Sequence, residues 1–183
     1  MKKMLLHSCC GPCSSGVLEG LCKEYDVTIL FYNPNIYPEN EYYKRLEAQQ
    51  KIVDSLNAEG YNILIRKVDY NPDEYDKEVV GLEQEKEGGS RCEKCFRLRM
   101  ERTCVYAKDN NFDVFTTTLS VSPHKNHLLL NQIGRELSDK YGIEYLEANF
   151  KKNDGYLKSI RNSQKYNLYR QNYCGCKYSI WDK

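Results

Sequence analysis

No run of apolar residues in this 183-residue sequence approaches the roughly 20 needed to cross a bilayer, which excludes a membrane-spanning helix. The opening MKKMLLHS has two lysines and a short apolar stretch, but cysteine and proline follow at once. That leaves no apolar region of signal-peptide length, and the segment reads as the first strand of a cytoplasmic protein. Neither sign of charge predominates: 27 basic residues stand against 26 acidic ones, a formal net charge of +1. Coating of nucleic acid by bulk charge is therefore excluded, whereas a local basic face is not. Tryptophan occurs once and tyrosine 16 times; many of these phenols must be half-exposed, because a buried hydroxyl needs a partner. Internal repeats, low-complexity tracts and linkers are also missing. One domain over residues 1–183, long enough to bury a proper core, is expected.

Cysteine, by contrast, is abundant, with nine at positions 9, 10, 13, 22, 92, 95, 104, 174 and 176. A secreted disulfide scaffold fits poorly, since the chain is long, the count odd and a secretory signal lacking. In a cytosolic protein, clustered cysteines point to metal or redox chemistry.

Strand-like and helix-like segments alternate along the chain. Strands are expected over 4–8, 27–33, 61–68, 113–119 and 143–149, with helices over 14–24, 39–57, 93–109 and 126–140 and, over 72–87, a helix running into a charged loop. A further helix and a cysteine-bearing tail close the sequence. This alternation implies right-handed crossovers and a doubly wound, mostly parallel α/β sheet with helices on both faces. Ligands of such sheets sit outside the carboxyl ends of the strands, where CCGPC, NPNIYP and SVSPHKN all fall.

Cys9-Cys10-x-x-Cys13 places three thiols in five residues beside a Gly-Pro turn. Vicinal cysteines do not readily close a relaxed disulfide, so shared metal ligation competes with burial as small apolar groups. Cys92-x-x-Cys95 opens a helix, where the terminus and nearby Arg91, Lys94 and Arg97 favour thiolates; zinc, an iron–sulfur cluster and a thioredoxin-like couple all fit. With Cys9 and Cys10 it makes four thiolates, the usual set for a [4Fe–4S] centre. Cys174-Gly175-Cys176 would close a strained, easily reduced ring, or offer two further metal ligands. Cys22 and Cys104 fall on apolar helix faces and read as core. His124 and Asp69 lie at strand ends that could face a ligand, while His7 reads as a packed strand residue. Arg91, Lys94, Arg97, Arg99 and Arg102 cluster on one segment; Lys158, Arg161, Lys165 and Arg170 cluster on another, interleaved with tyrosines 166, 169, 173 and 178. Either stretch fits phosphate contacts with base stacking, or ordinary solvated helix faces.

Taken together, LHSCCGPCSS, FYNPNIYP, EYYKR, RCEKCFRLRM, FTTTLSVSPHKN and NLYRQNYCGCKYS resemble the cobalamin-independent epoxyqueuosine reductases of the QueH type, over residues 4–179. The resemblance implies reductive removal of the epoxide oxygen of epoxyqueuosine at the wobble position of tRNA, leaving queuosine, in a two-electron step. It implies Cys9, Cys10, Cys92 and Cys95 as [4Fe–4S] ligands and Cys174 with Cys176 as a redox-active disulfide pair. A further iron ion beside the cluster is implied too, with Cys13, Asp69 and His124 as candidate ligands. The partners implied are tRNA carrying epoxyqueuosine and an electron donor that the sequence does not identify. The implied fold is the nucleotide-hydrolase-like three-layer sandwich of the ATP pyrophosphatases, with cysteines replacing their phosphate loop. Two rival readings of the same residues are a zinc-binding tRNA-interaction module and a thiol-redox or sulfur-transfer enzyme.

Overall fold

The computed structural model describes residues 1–152 and 154–180. Five strands, β1 (Lys2–His7), β2 (Tyr25–Phe31), β3 (Leu64–Lys67), β4 (Val114–Thr117) and β5 (Glu144–Tyr145), form one sheet. Every neighbouring pair is parallel, in the order β3-β2-β1-β4-β5. The central strand β1 is apolar at consecutive positions because both of its faces are covered. Met4 and Leu6 join one core with Leu18 and Leu21 of α2 (Leu18–Leu21) and Ile52 and Leu56 of α3 (Glu39–Ala58). Leu5 joins the other, with Met100 and Cys104 of α5 (Ser90–Asp109) and Ile133 and Leu137 of α6 (His127–Tyr141). This is the doubly wound α/β architecture expected, and a cysteine-bearing tail follows α7 (Gly155–Lys165). Among the described residues, no helix is long and apolar enough to cross a membrane.

The helix expected over 14–24 is two helices, α1 (Gly11–Ser15) and α2. The break has a steric cause. A Cβ on Gly11 would stand 2.4 Å from the Ala48 carbonyl oxygen of α3, and one on Gly16 would stand 2.2 Å from the Gly155 carbonyl oxygen of α7. α1 is thus wedged backbone to backbone between two longer helices. Pro12 is tolerated in its first turn, where the missing N–H loses no helical bond. Residues 72–87 are a helix that runs into a loop, as expected: α4 spans Pro72–Glu78. The turns after it wrap the buried Arg91, whose guanidinium donates to the carbonyls of Leu82 (3.3 Å), Glu83 (3.1 Å) and Glu85.

From β1 the chain steps outward through β2 to β3, then returns past β1 to β4 and β5. The connections after β1 and β4 therefore leave in opposite directions and open a crevice between them, the usual ligand position in such sheets. His7 fastens this point. A carbonyl only accepts, so Nε2 carries the proton and donates to Tyr32 O (3.1 Å), while Nδ1 accepts from the Thr117 hydroxyl (2.9 Å). Burial, helped by the charge of Arg99, pushes its pKa down to about 4 and keeps the ring neutral.

Candidate metal centre

The loop leaving β1 carries Cys9 and Cys10, and Cys13 follows one helical turn into α1. Their three Sγ atoms lie within 4.8 Å of one another, with Cys9 and Cys10 Sγ 3.8 Å apart. Among the described residues this is the one such group of possible metal ligands. The loop is held from several sides. Cys9 N–H donates to Thr118 Oγ1 (3.4 Å) in the connection after β4, and Ser8 Oγ donates to the buried Gln49 side chain (2.6 Å). Gln171, in the segment after α7, donates to Cys10 Sγ (3.0 Å). The thiols differ sharply. Hydrogen bonds from Cys10 and Cys13, with the charges of Lys125 and Arg99, hold Cys9 well below the ordinary thiol range against the effect of burial. Cys10 is drawn down by Cys13, but its bond to Cys9 and its burial push it up to about 12. Cys13 is raised as well, by its bonds to Cys10 and Cys9 and by burial.

Cys92 and Cys95 occupy the first two turns of α5, as the C-x-x-C spacing anticipates. The helix terminus does not dominate there. Burial raises Cys92 despite a bond from Gly88 N–H (3.1 Å), and burial pushes Cys95 up to about 12. Cys95 packs in one buried group with Cys176, Tyr75 and Val79. Cys174 lines a cavity of about 580 Å³ shared with Cys9, Cys13, His124 and Lys125. The tail is fixed by Arg45 of α3, a buried guanidinium paired with Glu41 (2.8 Å) that donates to Cys174 O (2.9 Å) and Tyr173 O (3.1 Å). Gly175, at φ +126, has its carbonyl bonded by Tyr37 N–H (2.8 Å) from the loop after β2. None of the nine cysteines is joined in a disulfide.

Arg99 stands where the three cysteine segments converge. It is 2 % exposed, and its Nη2 has no hydrogen-bond partner. Among the described residues it forms no ion pair; Nε donates to Cys95 O (3.4 Å) and Nη1 to Asn33 Oδ1 (3.5 Å). Although burial opposes its charge, Cys95, Cys174 and Cys9 hold its pKa above the ordinary guanidinium value. Lys125 is half-buried on the cavity wall; partial loss of solvent opposes its charge, but Cys174, Cys9 and Cys13 raise its pKa. A buried cation without a carboxylate is costly. Thiols on three segments, facing the buried Arg99 and the half-buried Lys125, therefore fit an anionic thiolate-bound metal centre.

The structure brings the sequence-predicted residues together in separate groups, and among the described residues Cys92 and Cys95 do not join the close thiol group of Cys9 and Cys10. Cys9, Cys10 and Cys13 meet at one point, and Cys95 meets Cys176 at another. His124 is exposed on the cavity wall. Asp69 is exposed outside the cavity, with its charge felt at Tyr42. Arg91 and Arg99, grouped in the sequence with solvent-facing cations, are turned inward. Cys104 is core as expected, and Cys22 packs against the opposite core. Arg45, Lys125, Gln171 and Thr118 were not anticipated as site residues. Only Arg45 had a signal: it sits with Gln49 in the stripe Tyr42, Arg45, Gln49, Ile52, Leu56, where helical spacing calls for apolar side chains.

Comparison with known proteins gives a consistent picture. The family model described as "Epoxyqueuosine reductase QueH" matches residues 4–182. A Streptococcus pyogenes protein named epoxyqueuosine reductase QueH is 42% identical over 177 residues, covering 96% of this chain and 69% of that protein. Its namesake from Staphylococcus epidermidis is 40% identical over 180 residues, covering 97% of this chain and 76% of that protein. One from Thermotoga maritima is 36% identical over 186 residues, covering 100% of this chain and 93% of its own length.

Proposed function

Because this chain belongs to the epoxyqueuosine reductase QueH family, we propose that it deoxygenates epoxyqueuosine to queuosine at the wobble position of tRNA, using a [4Fe–4S] cluster. The observation that best supports this reading is the convergence of three cysteine segments on the unpaired guanidinium of Arg99, beside the cavity at the β1/β4 crevice. Cys9, Cys10, Cys92 and Cys95 would hold the cluster. Of the candidates for a further iron, Cys13 is the best placed, and His124 next. When bound, the metal centre supplies electrons singly and a Lewis acid for the epoxide oxygen.

The chain's own groups supply the rest. The conversion takes two electrons and two protons and yields an alkene and water. Oxidation of the Cys174/Cys176 dithiol to a disulfide releases the same two electrons and two protons, and an outside donor would then restore the dithiol. Lys125 presents positive charge and N–H donors at the cavity wall, where the oxygen gains negative charge as its C–O bond breaks. The loop bonds to Thr118, Gln49 and Gln171 keep the thiols in place without rearrangement.

The test is incubation of anaerobically reconstituted protein with epoxyqueuosine-containing tRNA and a reductant, followed by mass spectrometry of the nucleosides. Queuosine is expected, and its absence with iron-loaded protein would overturn the reading. The double variant Cys174→Ser/Cys176→Ser is expected to keep the cluster's absorption and lose turnover.

One observation favours a second reading, a single-ion zinc site on a tRNA-binding module. Thiolates about 2.3 Å from a tetrahedral ion stand about 3.8 Å apart, the spacing of Cys9 and Cys10 Sγ. Colourless protein with stoichiometric zinc and no iron after strictly anaerobic preparation would select it.

A further inference from the structure

α7 is built inside out. The residues it buries are Gly155, Ser159 and Ser163, four positions apart, and they face α1. Backbone contact at Gly16 leaves no room for anything larger on that side. Asn162 adds a bond to Ser15 O (2.7 Å), and Arg170 ties the same face through Ser159 O and Ser163 Oγ, both at 3.2 Å. Two large side chains of its first turn point outward instead: Tyr156 is 37% exposed and Leu157 49%. An amphipathic helix normally does the reverse.

Charge is as unevenly placed as bulk. The whole chain has a formal charge of +1, yet residues 151–170 carry six Lys and Arg against the single acid Asp154. Three of the six are occupied: Lys151 on the Pro123 and Lys125 carbonyls, Lys165 on Glu59, and Arg170 on α7 itself. Lys158 and Arg161 are exposed and form no ion pair among the described residues. They are three positions apart, and Arg161 follows Leu157 by four, so the three share a face. Tyr156, at the start of the same helix, also lines the cavity that holds Cys9 and Cys174.

We propose that the exposed face of α7 is the docking surface for the RNA stem-loop around the reacting nucleotide, with Lys158 and Arg161 on backbone phosphates and Tyr156 stacked at the cavity mouth. The inference rests on the reductase reading, which supplies tRNA as the substrate. A partner with regularly spaced anions and flat apolar faces is what paired cations on a helix that also presents an exposed aromatic ring can recognise. Continuity with the cavity sets the order: a nucleotide entering it leaves its neighbours lying across the first turns of α7.

The experiment uses full-length protein and two probes, the epoxyqueuosine-containing tRNA and an unmodified anticodon stem-loop of the same sequence. Lys158→Gln/Arg161→Gln is expected to reduce the slope of log affinity against log salt by about 2, near 1 for each phosphate that is no longer neutralised. KM for the tRNA should rise while kcat stays unchanged. Tyr156→Ala is expected to weaken stem-loop binding about tenfold. Lys23→Gln, an exposed site just before β2 at the opposite end of the sheet, should bind like wild type. Wild-type binding and salt slope in both α7 variants would overturn the proposal. So would a change confined to self-association in sedimentation, which would make the face a contact between copies of the chain. Because the stem-loop arm needs no turnover, it judges this surface even if wild-type protein fails to form queuosine, a failure that bears on the reductase reading alone.

Discussion

Arg99 is the residue on which the proposed centre would depend without being one of its candidate ligands. Its charge is fixed, its Nη2 is unpartnered, and thiols from three segments face it. Arg99→Met is expected to lower iron uptake on anaerobic reconstitution and to move the reduction of the centre to a more negative potential. Arg99→Lys should recover part of both, since the charge returns but the planar fork does not. Spectroelectrochemistry and iron per chain decide it, and a Met variant with wild-type values would sink the idea. Gly175 is the second sensitive point, as its φ of +126 disfavours a side chain and a Cβ would stand 3.0 Å from Arg45 Nη1. Gly175→Ala is expected to cost about 1–3 kcal/mol in denaturant unfolding. At this scale the cysteines were legible because their spacing is local. The inward turn of Arg99 was not. It follows Arg91 and Cys95 at intervals of four on the buried side of α5, but arginine among apolar residues is ordinarily read as the edge of a solvated face.

At the scale of elements, the alternation of strand and helix was readable from periodicity, including α3, α5 and α6 to within a few residues. The split between α1 and α2 was not, because its cause is tertiary: two glycines that let one backbone touch another. Gly16→Ala places a methyl group on the Gly155 carbonyl and is expected to destabilise the fold by about 1–3 kcal/mol. The corresponding fall in melting temperature is roughly 2–4 °C for each kcal/mol in a chain of this size. Gly20→Ala makes the contrast, since a Cβ there meets nothing within 4 Å. Comparable losses at both positions would remove close packing as the explanation for the break.

For the molecule as a whole, the crossovers and the convergence of strand-end loops followed from the order of elements, but the strand order did not. Which loops become neighbours depends on the return past β1 to β4, and that return brings Thr118 and Lys125 to the cysteine loop. A centre that draws ligands from separate segments should also hold those segments together. Anaerobic reconstitution is expected to raise the melting temperature, chelation to reverse the gain, and Cys92→Ser to abolish most of it. Calorimetry without any shift on metal loading would show that the segments are ordered independently of the metal.

The way the tail is fastened has a consequence in time. Arg45 and Tyr37 receive the carbonyls of residues 173–175 from the far end of the chain, and Cys176 then packs against Cys95. A ribosome releases the cysteine loop after β1 well before this wall. Until the wall emerges, Cys9 and Cys13 lack Cys174 beside them on the cavity wall, and Cys95 lacks Cys176. The proposed metal, delivered during synthesis, would meet an unfinished vessel; its loading is expected after translation, and a stalled nascent chain is expected to exchange it freely.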